Sequence, residues 1–261
     1  MTLKEKLHRK QPTIGSWLSF DSAATTEIMA RAGFEWLVVD MEHPSTSTAG
    51  MCRMIQIIEL SGCAPLVRVG ANDPLLIKRA LDAGAHGIVV PMVCSREEAE
   101  QAVRAIYYPP RGTRGVGLWR AQDYSTGFEA YKARAARETV FIAQIEHYRA
   151  VEALEEILAV PEVDGFIIGP YDLSGSLGEP GNFQNPRFLE CLAKVERLAK
   201  EHAKPAGYHI VHPDAEGCLL RQKLESGYRF VAYGADMVFF ASTVQTEIQR
   251  LRSRQILPPV L

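Results

Sequence analysis

The 261 residues are 47% hydrophobic and 23% charged, enough for a large buried core. One α/β barrel domain over residues 1–261 accounts for this length as well as two small domains would. A formal net charge of -2 gives no electrostatic footprint for nucleic acid or an anionic membrane.

The opening MTLKEKLHRKQP has no apolar run behind its basic residues, so no secretory signal is expected. No apolar stretch approaches the ~20 residues of a spanning helix. Five scattered cysteines without short paired spacing argue against a zinc knuckle or a disulfide framework. They fit reduced thiols in a cytoplasmic protein.

Eight short apolar runs read as strands, in chain order Thr13–Leu18, Trp36–Asp40, Ala64–Val69, Gly87–Val90, Val140–Ile145, Gly165–Ile168, Ala206–Ile210 and Arg229–Tyr233. They are continuously apolar rather than alternating, as parallel strands covered on both faces should be. Helix-period segments such as TTEIMARAG, DPLLIKRALDAG, REEAEQAVRAI, RAVEALEEILAV and PRFLECLAKVERLAKEH lie between them. Gly33, Gly84 and Gly227 stand at helix ends, where a left-handed residue is needed. Eight β–α alternations predict a (β/α)8 TIM barrel rather than an open doubly wound sheet. The longest irregular stretch, Tyr107–Tyr131, is too long for an ordinary connection and is a candidate functional loop.

In parallel α/β folds, chemistry collects at the carboxyl ends of the strands. The second strand ends at Asp40, with Glu42 and His43 just beyond. His43 is a candidate general base oriented by Asp40, or a structural histidine. Arg68 interrupts the third strand: its fork suits an anionic oxygen, or an internal ion pair to Asp40 or Glu42. The fifth strand ends in Gln144-Ile145-Glu146, and the sixth runs into Gly169-Pro170-Tyr171-Asp172-Leu173-Ser174. Glu146 and Asp172 follow consecutive strands and so are neighbours in a barrel. They suit a hard divalent cation, or structural pairs with surface bases.

His209 and His212 either line the site or cap the seventh strand, the structural role being the expectation. His147 is a candidate supporting group behind Glu146. Gly175, Gly178 and Gly181 read as a glycine-rich loop rather than a phosphate cradle. Arg111 and Arg114 either hold the long loop or reach an anion. Trp119 and Tyr124 either cover the pocket or pack a subunit contact. No lysine stands at a strand's carboxyl end, so a Schiff base is not expected, and a lyase on this scaffold would stabilise a carbanion with a metal.

Taken as an ordered set, Asp40-Met41-Glu42-His43, Arg68, Pro109-Pro110-Arg111-Gly112-Thr113-Arg114-Gly115, Gln144-Ile145-Glu146 and Gly169–Ser174 resemble the HpcH/HpaI aldolase family. The resemblance runs from Ile14 to near Phe230. It implies a metal-dependent, class II pyruvate aldolase, akin to 4-hydroxy-2-oxoheptanedioate and 2-dehydro-3-deoxyglucarate aldolases. It further implies a TIM barrel, with a C-terminal helix exchanged between subunits of a homohexamer built as a trimer of dimers. By the same resemblance, Glu146 and Asp172 hold Mg²⁺, Mn²⁺ or Co²⁺, and His43 with Asp40 is the base. Arg68 steadies the enolate oxygen, Gln144 with Gly169, Pro170, Tyr171 and Ser174 seats the pyruvate carboxylate, and Asp82 is lent to the neighbouring subunit's site.

The expected reaction is reversible cleavage of a 4-hydroxy-2-oxo acid to pyruvate and an aldehyde. The alternatives are oxaloacetate decarboxylation, cleavage of a CoA ester, a citrate-forming condensation, or a non-catalytic barrel that binds a 2-oxo acid. Tyr171, His147 and the GYHIVHP stretch depart from the family's pattern. They leave the pyruvate half intact and put the aldehyde in question.

Overall fold

A computed structural model describes residues 1–254 except Ala215, together with Ile256. Eight parallel strands close on themselves in sequence order. They are β1 (Thr13–Leu18), β2 (Trp36–Asp40), β3 (Ala64–Arg68), β4 (Gly87–Val90), β5 (Val140–Ile145), β6 (Gly165–Ile168), β7 (Ala206–Ile210) and β8 (Phe230–Ala235). This is the expected TIM barrel. Six strands match the sequence reading end for end; β3 stops one residue early and β8 runs to Ala235, against the wall of β1.

Helices form where apolar periodicity and a cap coincide. Asp73 accepts from two backbone N–H groups ahead of Pro74–Ala83, and Gly84 ends that helix at φ 108°. Ser22, Ser47 and Ser95 cap the helices that follow β1, β2 and β4. RAVEALEEILAV folds as two short helices, Tyr148–Glu152 and Leu154–Leu158.

Strand parity divides the core in two. Leu37, Val39, Phe141 and Ile168 point outward against the helices. Trp36, Val38, Leu66, Ile142, Ile167 and Phe230 fill the barrel. Trp36 stacks on Phe230 with ring centroids 3.9 Å apart. Gly15 makes room for this pair, because a Cβ there would fall inside the Trp36 indole. Leu7, on the capped helix Leu3–His8, plugs the amino-terminal end, and Lys4 fastens that helix to Asp164 at 2.9 Å.

The stretch 107–131 contains more structure than expected. A short 3-10 turn, Arg120–Ser125, and the start of the helix Phe128–Glu138 lie within it. Arg114 is buried, donating to Asp82 at 2.5 Å and Tyr131 at 3.0 Å, and Arg120 holds Glu59 and the Ala83 carbonyl. Arg111 pairs with Glu162 at 3.2 Å. These bonds fix the segment beside the end of Pro74–Ala83, so it does not cover this chain's own mouth, and Val116, Leu118, Trp119 and Tyr124 face outward.

The last helix, Asp236–Ser253, buries only Asp236 among its described residues and leaves Phe240 66% exposed. No helix among the described residues is long and apolar enough to cross a membrane.

Candidate active site

The parity that fills the barrel carries on to its carboxyl-terminal mouth. Two residues beyond Val38 is Asp40, two beyond Leu66 is Arg68, and two beyond Ile142 is Gln144. These side chains meet in a cavity of about 320 Å³, which Trp17, His43, Gly169, Pro170, Tyr171, Asp172, His209 and Met237 also line. A larger cleft of about 510 Å³ opens at the opposite end. Two of its acids are already paired, Glu35 with Lys6 and Glu59 with His86 and Arg120, and barrel chemistry belongs at the other face.

Arg68 is the hub, only 9% exposed. Asp40 accepts from its Nε at 2.9 Å and its Nη2 at 2.6 Å, and Glu42 stands 3.2 Å from Nη1. The guanidinium lies 4.3 Å above the Trp17 ring. The internal ion pair and the anion-facing fork are therefore compatible: the acids orient the arginine they neutralise. Asp40 is thereby turned away from His43, and no hydrogen bond joins the two. His43 instead faces Glu42 at 3.8 Å, with its side chain 63% exposed.

Glu146 is 3% exposed at the end of β5. Met92 N–H donates to Oε1 at 2.7 Å, and Gln144 Nε2 donates to Oε2. Burial raises its pKa to about 7; those two hydrogen bonds oppose the shift, and Glu42 and Asp172 add to it. Glu42 is raised for the same first reason, against Arg68, with Asp40 and Asp172 contributing. Asp172, exposed in the first turn of Pro170–Ser176, is thus electrostatically coupled to both. Four acids crowd one mouth, and its buried arginine is already shared by Asp40 and Glu42.

One buried oxygen there, Gln144 Oε1, lacks a hydrogen-bond partner, and Glu42 Oε2 has its ion pair with Arg68 Nη1 but no well-aligned hydrogen bond. A Cβ on Gly169 would sit 3.0 Å from Glu146 Oε2, so the bare backbone leaves that carboxylate room. No cluster of three His, Cys, Asp or Glu ligands occurs among the described residues. A pair of carboxylates beside an unpaired amide oxygen is nevertheless a donor set that suits a hard divalent ion, which leaves its other positions to water or substrate.

Other expected residues sit elsewhere. Ser174 is buried, donating to the Tyr171 carbonyl at 2.8 Å and accepting from Gly181 N–H at 2.9 Å, so it tethers the glycine-rich loop rather than facing the cavity. Asp82 lies far from this chain's mouth, on Arg114 and Gln122. His147 caps Tyr148–Glu152 by accepting from Arg149 N–H at 3.2 Å. His212 packs toward Tyr171.

His209, expected to be structural, lines the cavity, as do Trp17 and Met237, which were not singled out at all. The signal for Trp17 and His209 was present: each sits at the inward parity of its strand, Trp17 in register with Val38 and His209 with Ala232.

A family model described as HpcH/HpaI aldolase/citrate lyase matches residues 13–243. A 2-dehydro-3,6-dideoxy-6-sulfogluconate aldolase of Pseudomonas putida is 39% identical over 250 residues, covering 95% of this chain and 96% of its own. A 5-keto-4-deoxy-D-glucarate aldolase of Escherichia coli O6:H1 is 37% identical over 244 residues, covering 93% of each chain. The crystal structure of an HpcH/HpaI aldolase/citrate lyase family protein from Burkholderia cenocepacia J2315 superposes with a TM-score of 0.89 at 33% identity, covering 96% of this chain and 98% of that one.

Proposed function

The chain belongs to the HpcH/HpaI aldolase/citrate lyase family, and from that premise we propose how its mouth works as a class II pyruvate aldolase, cleaving a 2-keto-3-deoxy acid to pyruvate and an aldehyde. The family's chemistry is metal-dependent, and here Glu146 and Asp172 are the residues to hold the ion, Mg²⁺, Mn²⁺ or Co²⁺. Bound there, a divalent cation supplies Lewis acidity to a 2-keto oxygen and makes the adjacent carbon a better electron sink.

The chain's own groups do the rest. Arg68, oriented by Asp40 and Glu42, donates to the oxygen on which negative charge develops, where a fixed donor costs no reorganisation. Gln144 and the backbone at Gly169–Asp172, with Tyr171 beside them, seat the carboxylate. His43 takes the proton from the 4-hydroxyl. The C3–C4 bond then breaks, its electron pair passing to the pyruvate enolate as the aldehyde C=O forms, and His43 returns its proton to C3 to complete pyruvate. Glu42, next to His43, supports the charged ring in the place first expected of Asp40.

The observation that carries this reading is the convergence of Glu146, Asp172 and the doubly held Arg68 on one mouth. Relatives named as aldolases at 37–39% identity favour it over decarboxylation, CoA-ester or citrate-forming chemistry and over a non-catalytic binding barrel. A homohexamer with Asp82 lent between subunits belongs to the same proposal. The exposed Phe240 and Val244 on the last helix suit an exchanged element. The test is pyruvate release from a 2-keto-3-deoxy sugar acid with Mg²⁺ or Mn²⁺ added: release supports the reading, and none with either ion overturns it.

A further inference from the structure

β4 ends at Val90, and the chain turns through Pro91 and Met92 before Ser95 caps the next helix. Met92 has φ 54°, in the left-handed region that glycine and asparagine tolerate best. A proline followed by a residue of positive φ is the pattern of a type II turn, whose third position favours glycine. Burial does not hold Met92 there, because its side chain is 46% exposed. Both flanks are fixed instead. Val90 and Val93 are fully buried, and Cys94 N–H donates to Glu98 at 2.6 Å. Between them, the left-handed residue aims its own N–H across to the end of β5, where Glu146 Oε1 accepts it at 2.7 Å.

We infer that Met92 is a positioning residue: its strained backbone holds the Glu146 carboxylate in the one orientation that serves a divalent cation. The inference rests on the proposed function, in which Glu146 is a ligand of that ion. A glutamate has three side-chain torsions, and a hydrogen bond to each oxygen fixes the last of them. The second of those donors is the Gln144 side chain, which has torsions of its own. The Met92 donor is backbone, and its direction is set by the turn alone. Strain of this kind persists only where the surroundings over-determine it, and it collects where a group has to be aimed. Because the donor is a peptide N–H, a side-chain change acts on it only through the backbone conformation it permits.

The test measures Mn²⁺ affinity by the loss of the free-ion electron paramagnetic signal, beside urea unfolding of the metal-free proteins. Met92→Val adds a β-branch that disfavours the left-handed conformation, whereas Met92→Asn accepts it. In a third protein an ester oxygen replaces the Met92 peptide N–H, which removes the donor and keeps the side chain. Mn²⁺ affinity is expected to fall about tenfold in Met92→Val and in the ester, as when the group supporting a metal ligand is lost. Met92→Asn should stay close to wild type. A turn that served stability alone would lower the unfolding midpoint and leave Mn²⁺ affinity unmoved.

An affinity within about twofold of wild type in either Met92→Val or the ester overturns the inference, since a lost supporting group costs at least about tenfold. An equal loss in Met92→Asn and Met92→Val also overturns it, because the side chain would then be the cause. Should Met92→Val fail to fold, the ester decides alone by the same criterion. Glu146→Gln separates the inference from the reading beneath it. A Glu146→Gln protein that loses Mn²⁺ while Met92→Val and the ester keep it overturns this inference alone. One that binds Mn²⁺ as wild type does overturns the metal assignment and this inference with it.

Discussion

Asp40 grips Arg68 through two hydrogen bonds, 2.9 Å to Nε and 2.6 Å to Nη2, at the floor of the barrel's mouth. The register places them side by side on β2 and β3, so the pair is built by strand alignment rather than by loop placement. Asp40→Asn keeps the shape and removes the charge that aims the guanidinium. It should lower kcat/KM for pyruvate release by about 10²-fold, the scale of losing one preorganised donor. Arg68→Lys should not rescue activity, because an ammonium lacks the planar fork. Steady-state kinetics of the two variants checks this.

Most of the scaffold was legible in the sequence because parallel strands buried on both faces are continuous apolar runs, and WLVVD and VFIAQI announce both ends of their strands. The acids and Arg68 were legible because a charge inside such a run is costly unless used. Trp17 and His209 were less so: a tryptophan in an apolar strand passes for core, and only the inward parity shared with Arg68 distinguishes it. The order within the long segment was illegible for another reason. Arg114 and Arg120 find their partners, Asp82 and Glu59, on helices distant in sequence, and that tertiary pairing draws the segment away from the mouth.

Gly169 keeps space over Glu146. Gly169→Ala would bring a methyl to about the 3.0 Å where Oε2 now lies and push the carboxylate aside. Mn²⁺ binding, followed by the loss of the free-ion electron paramagnetic signal, should weaken about tenfold, as when a supporting group of a metal ligand is disturbed.

Gly15 is under tighter constraint. In Gly15→Ala the added methyl meets the Trp36 indole and backbone, and Trp36 is held by its stacking on Phe230. Overpacking of this kind costs about 3 kcal/mol. The midpoint of urea unfolding should fall, with no change in Mn²⁺ affinity.

Glu59 ties the helix after β2 to His86 and to Arg120 of the long segment. The hydrogen bond from His86 is the chief cause of its pKa falling to about 2; burial opposes it, and Arg120 adds to it. A depressed carboxylate stabilises the fold above its ordinary value and loses that contribution as the pH drops through its folded value. Stability should therefore decline between about pH 5 and pH 2, and Glu59→Gln should shallow the decline over that window in thermal melts.

The most direct measurement is exchange of pyruvate methyl protons in D₂O, followed by NMR with Mg²⁺ and paired with Mn²⁺ titrations of the same samples. Exchange in wild type should need the added ion and fall about 10²–10⁴-fold in His43→Ala, while Glu146→Gln and Asp172→Asn lose both exchange and Mn²⁺ binding. A Glu146→Gln protein that still binds Mn²⁺ and exchanges at the wild-type rate would contradict the account.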